Sequence, residues 1–187
     1  MMRHIDVSTV LRQAVACDLY SNLVTRPTGA AVRAQIRALL CEVPQRSLAV
    51  IDFTHVQMID YSCADEVVAK LLLPYADGEA DDDSYFIFRG VSEDHWDAIE
   101  AVLERHGIAM LIEGTDEGDV MPRGVLTAEQ RAAWEVVREL GGASVDDVAG
   151  RLELAPERIA GALEVLHRQR LLMKADGRYR VVGVARG

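Results

Sequence analysis

The sequence predicts two folding units, an α/β unit over residues 1–113 and a smaller α+β unit over residues 125–187. Apolar runs alternate with segments of helical periodicity up to Ile112, which is typical of strands and helices packed in layers. A short charged segment with glycines follows over residues 114–124 and indicates a linker. After it, helix-start signals and an Asp-Gly turn predict helices followed by a β-hairpin.

The strands of the first unit are predicted from short apolar runs. Residues 48–53 form a continuous run, as in strands that are covered on both faces of a mixed or parallel sheet. Weaker strand signals lie at residues 2–10, 85–88 and 108–112. Residues 14–24 give no clear signal.

Three helices are predicted between these strands. They cover residues 30–40, 64–73 and 93–106. A turn cluster at residues 25–29 precedes the first helix. Pro44 and Pro74 are expected to end the first and second helices, because proline cannot continue a helix. Ser92 and Gly107 suit the N-cap and the C-terminal cap of the third.

The second unit reads as three helices and a hairpin. Thr127 with Gln130 and Ser144 with Asp147 form capping boxes that begin the first two helices. Pro156 suits the first position of the third helix. The hairpin strands are predicted at residues 171–174 and 179–182, around the turn Asp176-Gly177. This order of elements is the layout of a winged helix-turn-helix domain.

Charge is distributed unevenly along the chain, whose net charge is -10. Residues 1–121 carry 9 Lys and Arg against 21 Asp and Glu, whereas residues 122–187 carry 11 against 9. Within the latter, residues 151–187 carry 8 against 4, a net charge of +4. An acidic body with a mildly basic end indicates units with different partners.

Cysteine usage and the N-terminus predict a cytoplasmic protein. The cysteines are three, odd in number and far apart, which favours reduced thiols over a disulfide framework or a zinc site. No run of eighteen apolar residues predicts a membrane span, and the first residues lack the apolar stretch of a secretory signal. The five histidines lack metal-ligand spacing, so neither a metal nor a cofactor is expected.

The most informative segment is residues 48–73, in which a buried strand leads to a helix opening at Asp60-Tyr61-Ser62. A hydroxyl is thereby placed where a helix begins. Ser62 could be the N-cap, with Asp65 three residues on completing a capping box, or it could be a phosphoacceptor. In the second case the helix N-terminus would favour the phosphate, while nearby carboxylates would repel it.

Residues 22–112 resemble the STAS superfamily, the fold of anti-sigma factor antagonists. The resemblance rests on Val-Thr-Arg-Pro-Thr-Gly at residues 24–29, Asp-Phe-Thr-His-Val at 52–56 and Ile-Asp-Tyr-Ser-Cys-Ala-Asp-Glu at 59–66. The closest branch is STAS-like. In antagonists of this superfamily a serine at the corresponding place is phosphorylated by a partner kinase of the histidine-kinase-like ATPase fold. The resemblance therefore implies a STAS-like unit with Ser62 as phosphoacceptor.

The same resemblance implies a protein-binding surface around that serine. It would comprise Asp60, Tyr61, Cys63 and Asp65. Tyr61 and Cys63 replace the residues that flank the serine in the antagonist pattern Asp-Ser-Ser-Gly. A thiol beside a helix start could have a lowered pKa, or Cys63 could be a small buried residue.

The second unit resembles bacterial winged helix-turn-helix domains of the general MarR or GntR type, many of which bind DNA. The basic residues suited to DNA are Arg158, Arg168, Lys174, Arg178 and Arg180. The first two lie on the third helix, which would enter the groove, and the others lie on the hairpin, which would contact the backbone. Glu157 and Glu164 share the helix face and would oppose phosphates unless they read cytosine. Dimerisation, or docking on the first unit, is the alternative.

Together these patterns predict a regulatory phosphoprotein rather than an enzyme. Modification or occupancy around Ser62 would change which protein the first unit holds, and the winged helix would carry the output in transcription regulation. The alternative is an adaptor in which both units bind protein, and a homodimer is compatible with either. A hydrolase or transferase using Asp60 and Ser62 is the weakest hypothesis, because no oxyanion hole or paired histidine accompanies them.

Overall fold

A computed structural model describes residues 2–15, 21–41, 47–80, 82–114 and 119–183 of the chain. Several predictions therefore lie outside the described residues. These are the helix end at Pro44, residues 16–20 of the ambiguous stretch and residues 115–118 of the predicted linker.

The strands between residues 2 and 124 form a five-stranded mixed sheet and a separate two-stranded pair. In chain order they are β1 (Met2–Asp6), β2 (Asn22–Leu23), β3 (Leu48–Asp52), β4 (Met58–Ile59), β5 (Tyr85–Arg89), β6 (Ala109–Glu113) and β7 (Val120–Gly124). The main sheet has the order β1-β3-β5-β6-β7, in which the first four strands are parallel and β7 is antiparallel to β6. β2 and β4 form a separate short parallel pair. The fold is α/β with a mixed sheet, as the sequence predicts.

The helices between these strands cover one face of the sheet. They are α1 (Val7–Val15), α2 (Arg26–Cys41), α3 (Tyr61–Ala64), a π-helical segment (Asp65–Ala69), α4 (Lys70–Ala76) and α5 (Glu93–His106). Their apolar faces pack against Ile51, Phe88 and Met110 of the sheet in one buried cluster. Side chains alternate between the two faces of a strand, so every second strand residue belongs to this core.

The first strand is shorter than predicted. The sequence predicts a strand over residues 2–10, but β1 ends at Asp6 and α1 begins at the next residue. The reason lies in the Asp6 carboxylate, which accepts hydrogen bonds from the backbone N–H groups of Ser8 at 2.9 Å and Thr9 at 3.3 Å. A short acidic side chain at this place satisfies the free donors of a helix start.

Two prolines lie inside helices rather than at their ends. α2 begins at Arg26, so Pro27 lies in its first turn, where the missing N–H has no cost, and the predicted turn is wrong there. Pro74 was expected to end a helix but lies within α4. It cannot donate to the carbonyl of Lys70, four residues earlier, and Arg37 donates to that oxygen instead at 3.3 Å.

The C-terminal unit has the predicted elements. They are α6 (Ala128–Glu139), α7 (Val145–Leu152), α8 (Pro156–Arg168), β8 (Leu172–Ala175) and β9 (Arg178–Val181). Both predicted capping boxes are confirmed, with Thr127 and Ser144 accepting from the N–H groups of Gln130 and Asp147. Pro156 begins α8 as expected.

This unit packs directly on the second face of the sheet. Tyr85, Ile87 and Leu111 of the sheet share one buried cluster with Trp134 and Leu163 of the C-terminal helices. The side chain of Gln169 also accepts a hydrogen bond from the backbone N–H of Ala109, at 2.9 Å. The sheet is therefore covered on both faces, and its second face is closed by a part of the chain that the sequence suggested was separate.

The predicted linker contains a strand. β7 occupies residues 120–124 and pairs with β6 over its whole length, and Gly114 donates to the carbonyl of Asp119 at 2.7 Å. These residues are thus an edge of the sheet and not a spacer, because the backbone groups of β6 find partners there. The division of the chain into two units stays a prediction. No helix among the described residues is long and apolar enough to cross a membrane.

Candidate functional site

Asp60 caps the helix that begins beside Ser62. Its backbone is extended, with φ -86° and ψ 166°, and its Oδ1 accepts the backbone N–H of Cys63 at 2.7 Å. Oδ2 accepts the backbone N–H of Thr25 at 2.9 Å, so the same carboxylate joins the starts of α2 and α3. Burial alone would raise the pKa of Asp60, but these hydrogen bonds outweigh it and the pKa is lowered. The group is an ionised structural cap.

The hypothesis that Ser62 is the N-cap is wrong. Ser62 lies inside the first helical turn, and its Oγ donates to Asp60 Oδ1 at 2.9 Å. Asp65 completes no capping box with it, because the Asp65 carboxylate is buried against Arg26 and His106. The preceding aspartate takes the cap because it has both the extended backbone and an oxygen within reach of the third residue. Ser62 is half-buried, and its role as phosphoacceptor stays a prediction.

Cys63 does not belong to an exposed surface. Its side chain is fully buried and its Sγ donates to the carbonyl of Thr25 at 2.9 Å. Burial, with the nearby Asp60 charge, raises the pKa of the thiol to about 12. The interpretation as a small buried residue is confirmed, and the lowered thiol pKa is wrong. Gly29 of α2 lies against this residue, where an added Cβ would lie 2.9 Å from Cys63 Cα.

Tyr61 is the exposed member of the predicted partner surface. Its side chain is 37% exposed, and its hydroxyl accepts a hydrogen bond from Arg105 at 2.8 Å. The Arg105 guanidinium also lies 6.0 Å from the ring centroid. Met58, 48% exposed, lies three residues before Tyr61 at the start of β4. Sequence reasoning missed Arg105, since nothing local relates the end of α5 to the start of α3.

Asp65 and Glu66 form the buried centre of an ion cluster whose cations are partly exposed. Asp65 Oδ2 and Glu66 Oε1 lie 2.7 and 2.8 Å from Arg26 Nη1. Glu66 also pairs with Lys70, and Arg33 Nη2 lies 3.1 Å from its Oε2, close enough for an ion pair although not aligned for a hydrogen bond. His106 Nε2 lies 2.7 Å from Asp65 Oδ1. We call these residues the Asp65–Glu66 cluster.

The cluster changes the electrostatics expected around Ser62. From the sequence, Asp60, Asp65 and Glu66 would repel a phosphate. In the structure the carboxylates of Asp65 and Glu66 form ion pairs with Arg26, Arg33 and Lys70, which compensate their charge. Burial would raise the pKa of Asp65, but hydrogen bonds from Arg26 and His106 lower it to about 2. Asp65 and Glu66 are therefore clamps between helices, and the buried Asp65 is not available to a partner.

Asp52 lies at the end of β3 and has its own hydrogen-bond partners, separate from those of Asp60. Asp52 ends β3, where its Oδ1 accepts the backbone N–H of Thr54 at 2.8 Å and its Oδ2 lies 2.7 Å from His4 Nε2. Burial would raise its pKa, but the hydrogen bonds from Thr54 and His4 lower it. Asp52 and Asp60 thus each serve their own turn or helix start.

The basic residues of the C-terminal unit differ in their partners. Three of them form ion pairs within the unit: Arg158 with Glu129 at 2.5 Å, Lys174 with Glu164 at 3.0 Å and Arg178 with Asp147 at 3.3 Å. Arg168 and Arg180 are exposed and form no ion pair or hydrogen bond with any other described residue. The outer face of α8 and the hairpin therefore present two uncompensated cations beside three balanced ones.

Comparison with known proteins adds no family to this geometry: no protein-family model matches the chain, and no curated protein does. Within the described parts of the chain, no three or more His, Cys, Asp and Glu side chains are grouped so as to hold a metal ion.

The buried histidine His95 of α5 predicts that the stability of the protein depends on pH. His95 is 1% exposed; its Nδ1 accepts the Ser92 N–H at 3.1 Å and its Nε2 lies 3.0 Å from the carbonyl of Val56. Burial lowers its pKa below the ordinary 6.5. The unfolded chain therefore takes up this proton before the folded one does, and stability is lost as pH falls below about 6.5.

We expect the free energy of unfolding of His95→Gln to vary less between about pH 7 and pH 5 than that of the wild type. Urea denaturation at several pH values measures this. The matched change His55→Gln, on an exposed loop, is expected to keep the wild-type dependence. Equal slopes for all three proteins would remove His95 as the cause.

Proposed function

We propose that this chain is a regulatory protein in which a STAS-like unit binds a protein partner around Ser62 and a winged helix-turn-helix unit carries the output by binding DNA. The observation that carries the proposal is the pair of exposed arginines, Arg168 and Arg180, on the outer face of α8 and the hairpin β8–β9, beside three basic residues that are ion-paired. A helix with basic residues on its outer face, followed by a basic hairpin, suits a helix in the major groove and a wing on the phosphate backbone.

The charges on this surface support phosphate contact at two points. Arg168 lies at the end of α8 and Arg180 on β9, and both side chains are exposed and unpaired among the described residues, so a phosphate can reach them. Arg158 is near the start of α8, 64% exposed, and would need to leave Glu129 before contacting a guanine edge. Glu164, which sequence reasoning counted against DNA, is paired with Lys174.

The DNA arm of the proposal is tested by fluorescence polarisation with labelled duplex DNA at low salt. Arg168→Ala and Arg180→Ala are each expected to weaken binding and to lower the slope of log affinity against log salt by about 1, as for the loss of one phosphate contact. Arg151→Ala is the control, since Arg151 is also exposed but lies on α7. The absence of binding to any duplex at low salt would contradict this arm.

The partner arm concerns the start of α3. The proposal takes Ser62 as the phosphoacceptor of a histidine-kinase-like ATPase, because its Oγ is only half-buried, lies at a helix start and is bonded to one carboxylate. The compensated Asp65–Glu66 cluster reduces the like-charge repulsion that a phosphate would meet there.

Incubation with candidate ATPases of this fold should add one phosphate to the wild-type chain and none to Ser62→Ala. Intact mass spectrometry measures the addition, and Ser8→Ala provides a matched serine change outside the site. A phosphate that persists in Ser62→Ala would place the modification elsewhere.

A second candidate function is an adaptor in which both units bind protein. It is favoured by the ion pairs of Arg158, Lys174 and Arg178, which leave much of the C-terminal surface electrically balanced. A surface with balanced charge is better suited to contact with a protein than to contact with the phosphate backbone of DNA. The polarisation experiment separates the two functions, since an adaptor shows no salt-dependent affinity for duplex DNA.

A further inference from the structure

Arg170, the second residue after α8, contacts two tyrosines of the first unit. The Arg170 guanidinium carbon lies 5.5 Å from the ring centroid of Tyr75 and 5.3 Å from that of Tyr85. Its Nη2 donates to the carbonyl of Asp82 at 3.0 Å. Cations are attracted to the faces of aromatic rings within about 6 Å. We call these contacts the Arg170 clamp, and they tie the C-terminal unit to α4 and β5.

The backbone of Arg170 indicates that the clamp has a cost. Its φ is +62°, in the left-handed region, at a place after a helix where glycine is the usual residue. An arginine is unfavourable there, yet its N–H still closes the helix by donating to the carbonyl of His167 at 2.9 Å. A glycine could make the same turn, so the contacts of the side chain are what the arginine adds.

Tyr75 lies at the far end of the helix that begins beside Ser62. α3, the π-helical segment and α4 are continuous from Tyr61 to Ala76. At 1.5 Å per residue, Ser62 and Tyr75 are about 20 Å apart along this helix. Residues 63–69 are all buried. A dense interior transmits strain, so a displacement at one end of a helix packed within it is felt along the helix.

The middle of this helix is fixed from two sides. The Asp65–Glu66 cluster joins it to Arg26 and Arg33 of α2 and to His106 of α5. The wide π-helical turn, in which the N–H of Lys70 donates to the carbonyl of Asp65, lies at this point. Such turns occur frequently at functional sites. A helix held at its middle and packed along its length relates the position of one end to that of the other.

We propose that the helix Tyr61–Ala76 couples the Ser62 site to the C-terminal unit through the Arg170 clamp. A charge or a bound protein at the first turn of this helix would thereby change the position of α8, and the two units would not need to separate. The inference rests on the proposed function for its regulatory meaning, and by linkage an event at the C-terminal surface would act back on the Ser62 end.

Two resonances in ¹⁵N NMR spectra of the full chain report on the C-terminal end of this coupling. The Nε–H of Arg170 lies near two tyrosine rings and is sensitive to their ring currents. The Nε1–H of Trp134 donates to the carbonyl of Leu171, the next residue, at 3.2 Å. Asp60→Ala, which removes the cap of α3, is expected to shift both resonances. Ser62→Asp, a milder change that adds a charge, is expected to shift the same two.

The matched control is Asp6→Ala, which removes the corresponding cap of α1, a helix that packs against α2, β1 and β3. It is expected to leave both resonances in place. In Arg170→Gly, which keeps the left-handed turn but removes the clamp, adding Asp60→Ala is expected to cause no further shift of the Trp134 resonance.

Three outcomes would overturn the coupling: unmoved resonances in both Asp60→Ala and Ser62→Asp, equal shifts in Asp6→Ala, or an undiminished Trp134 shift in the Arg170→Gly background. None of these spectra requires DNA or a partner. Failure of the coupling is therefore distinguishable from failure of the DNA or phosphate experiments, and each can occur with the other intact.

Discussion

Glu66→Ala is expected to lower the free energy of unfolding by about 1–3 kcal/mol, because a buried carboxylate loses its hydrogen bonds while the cations that it binds stay partly in contact with water. The Glu66 side chain is 3% exposed and lies among Arg26, Arg33 and Lys70. After the substitution Asp65 still pairs with Arg26 and Lys70, whereas Arg33 loses its ion pair with Glu66. Urea denaturation followed by circular dichroism measures the change.

An exposed ion pair provides the control for Glu66. Glu135→Ala removes an i,i+3 partner of Arg138 at the surface of α6, where both side chains are more than two-fifths exposed. A loss of at most about 1 kcal/mol is expected there. If the two substitutions cost the same, the Asp65–Glu66 cluster is not a clamp between helices, and its place in the coupling proposed above fails with it.

Gly29→Ala is expected to destabilise the protein by about 1–3 kcal/mol, as an overpacked core position does. Helix propensity predicts the opposite sign, since alanine is favoured over glycine in a helix by about 1 kcal/mol. Here α2 crosses the start of α3 so closely that the new Cβ would lie 2.9 Å from Cys63 Cα and 2.9 Å from Glu66 Cβ. The first of these atoms is backbone and cannot rotate away.

Gly150→Ala tests the sign directly. Gly150 lies in α7, and a Cβ built there would meet no atom within 4 Å, so the substitution is expected to stabilise by about 0.5–1 kcal/mol. Thermal or urea unfolding of the two variants should therefore shift in opposite directions. Stabilisation by Gly29→Ala would mean that α2 and α3 are farther apart than the structure has them.

Glu66→Ala and Gly29→Ala both act on the contact between α2 and the helix that begins beside Ser62. The carboxylate of Asp60 joins the two helix starts, and the Asp65–Glu66 cluster joins them one turn later. Ser62 is thus bonded into a well-ordered helix start and not placed on a loose loop. A partner or a phosphate at this site would act on an element that is already rigidly held to its neighbours.

Elements with complete local signals were predicted from the sequence and are confirmed. The capping boxes of Thr127 and Ser144, the proline that begins α8 and the Asp-Gly turn of the hairpin are each decided by residues within four positions of one another. The apolar run at residues 48–53 likewise predicts a buried strand, and β3 is buried at Ala49, Val50 and Ile51. Short-range hydrogen bonding and periodicity are sufficient for such features.

The predictions that failed depended on distant partners. Pro74 was expected to end a helix because its break in hydrogen bonding is visible locally, whereas the compensating donor is Arg37 of another helix. The residues of β7 look like a charged linker, but pairing with β6 makes them a strand. The cap belongs to Asp60 and not to Ser62, and the Asp60 carboxylate also binds the N–H of Thr25, a residue distant in the sequence.

The sequence by itself determined the order and type of most elements, the acidic body with a basic end, and a hydroxyl within one turn of a helix start. Tertiary structure alone decided which carboxylates around that hydroxyl are compensated and that the C-terminal unit closes the second face of the sheet. The reason is physical: periodicity and capping act over a few residues, while burial and charge pairing depend on side chains that only the folded chain brings together.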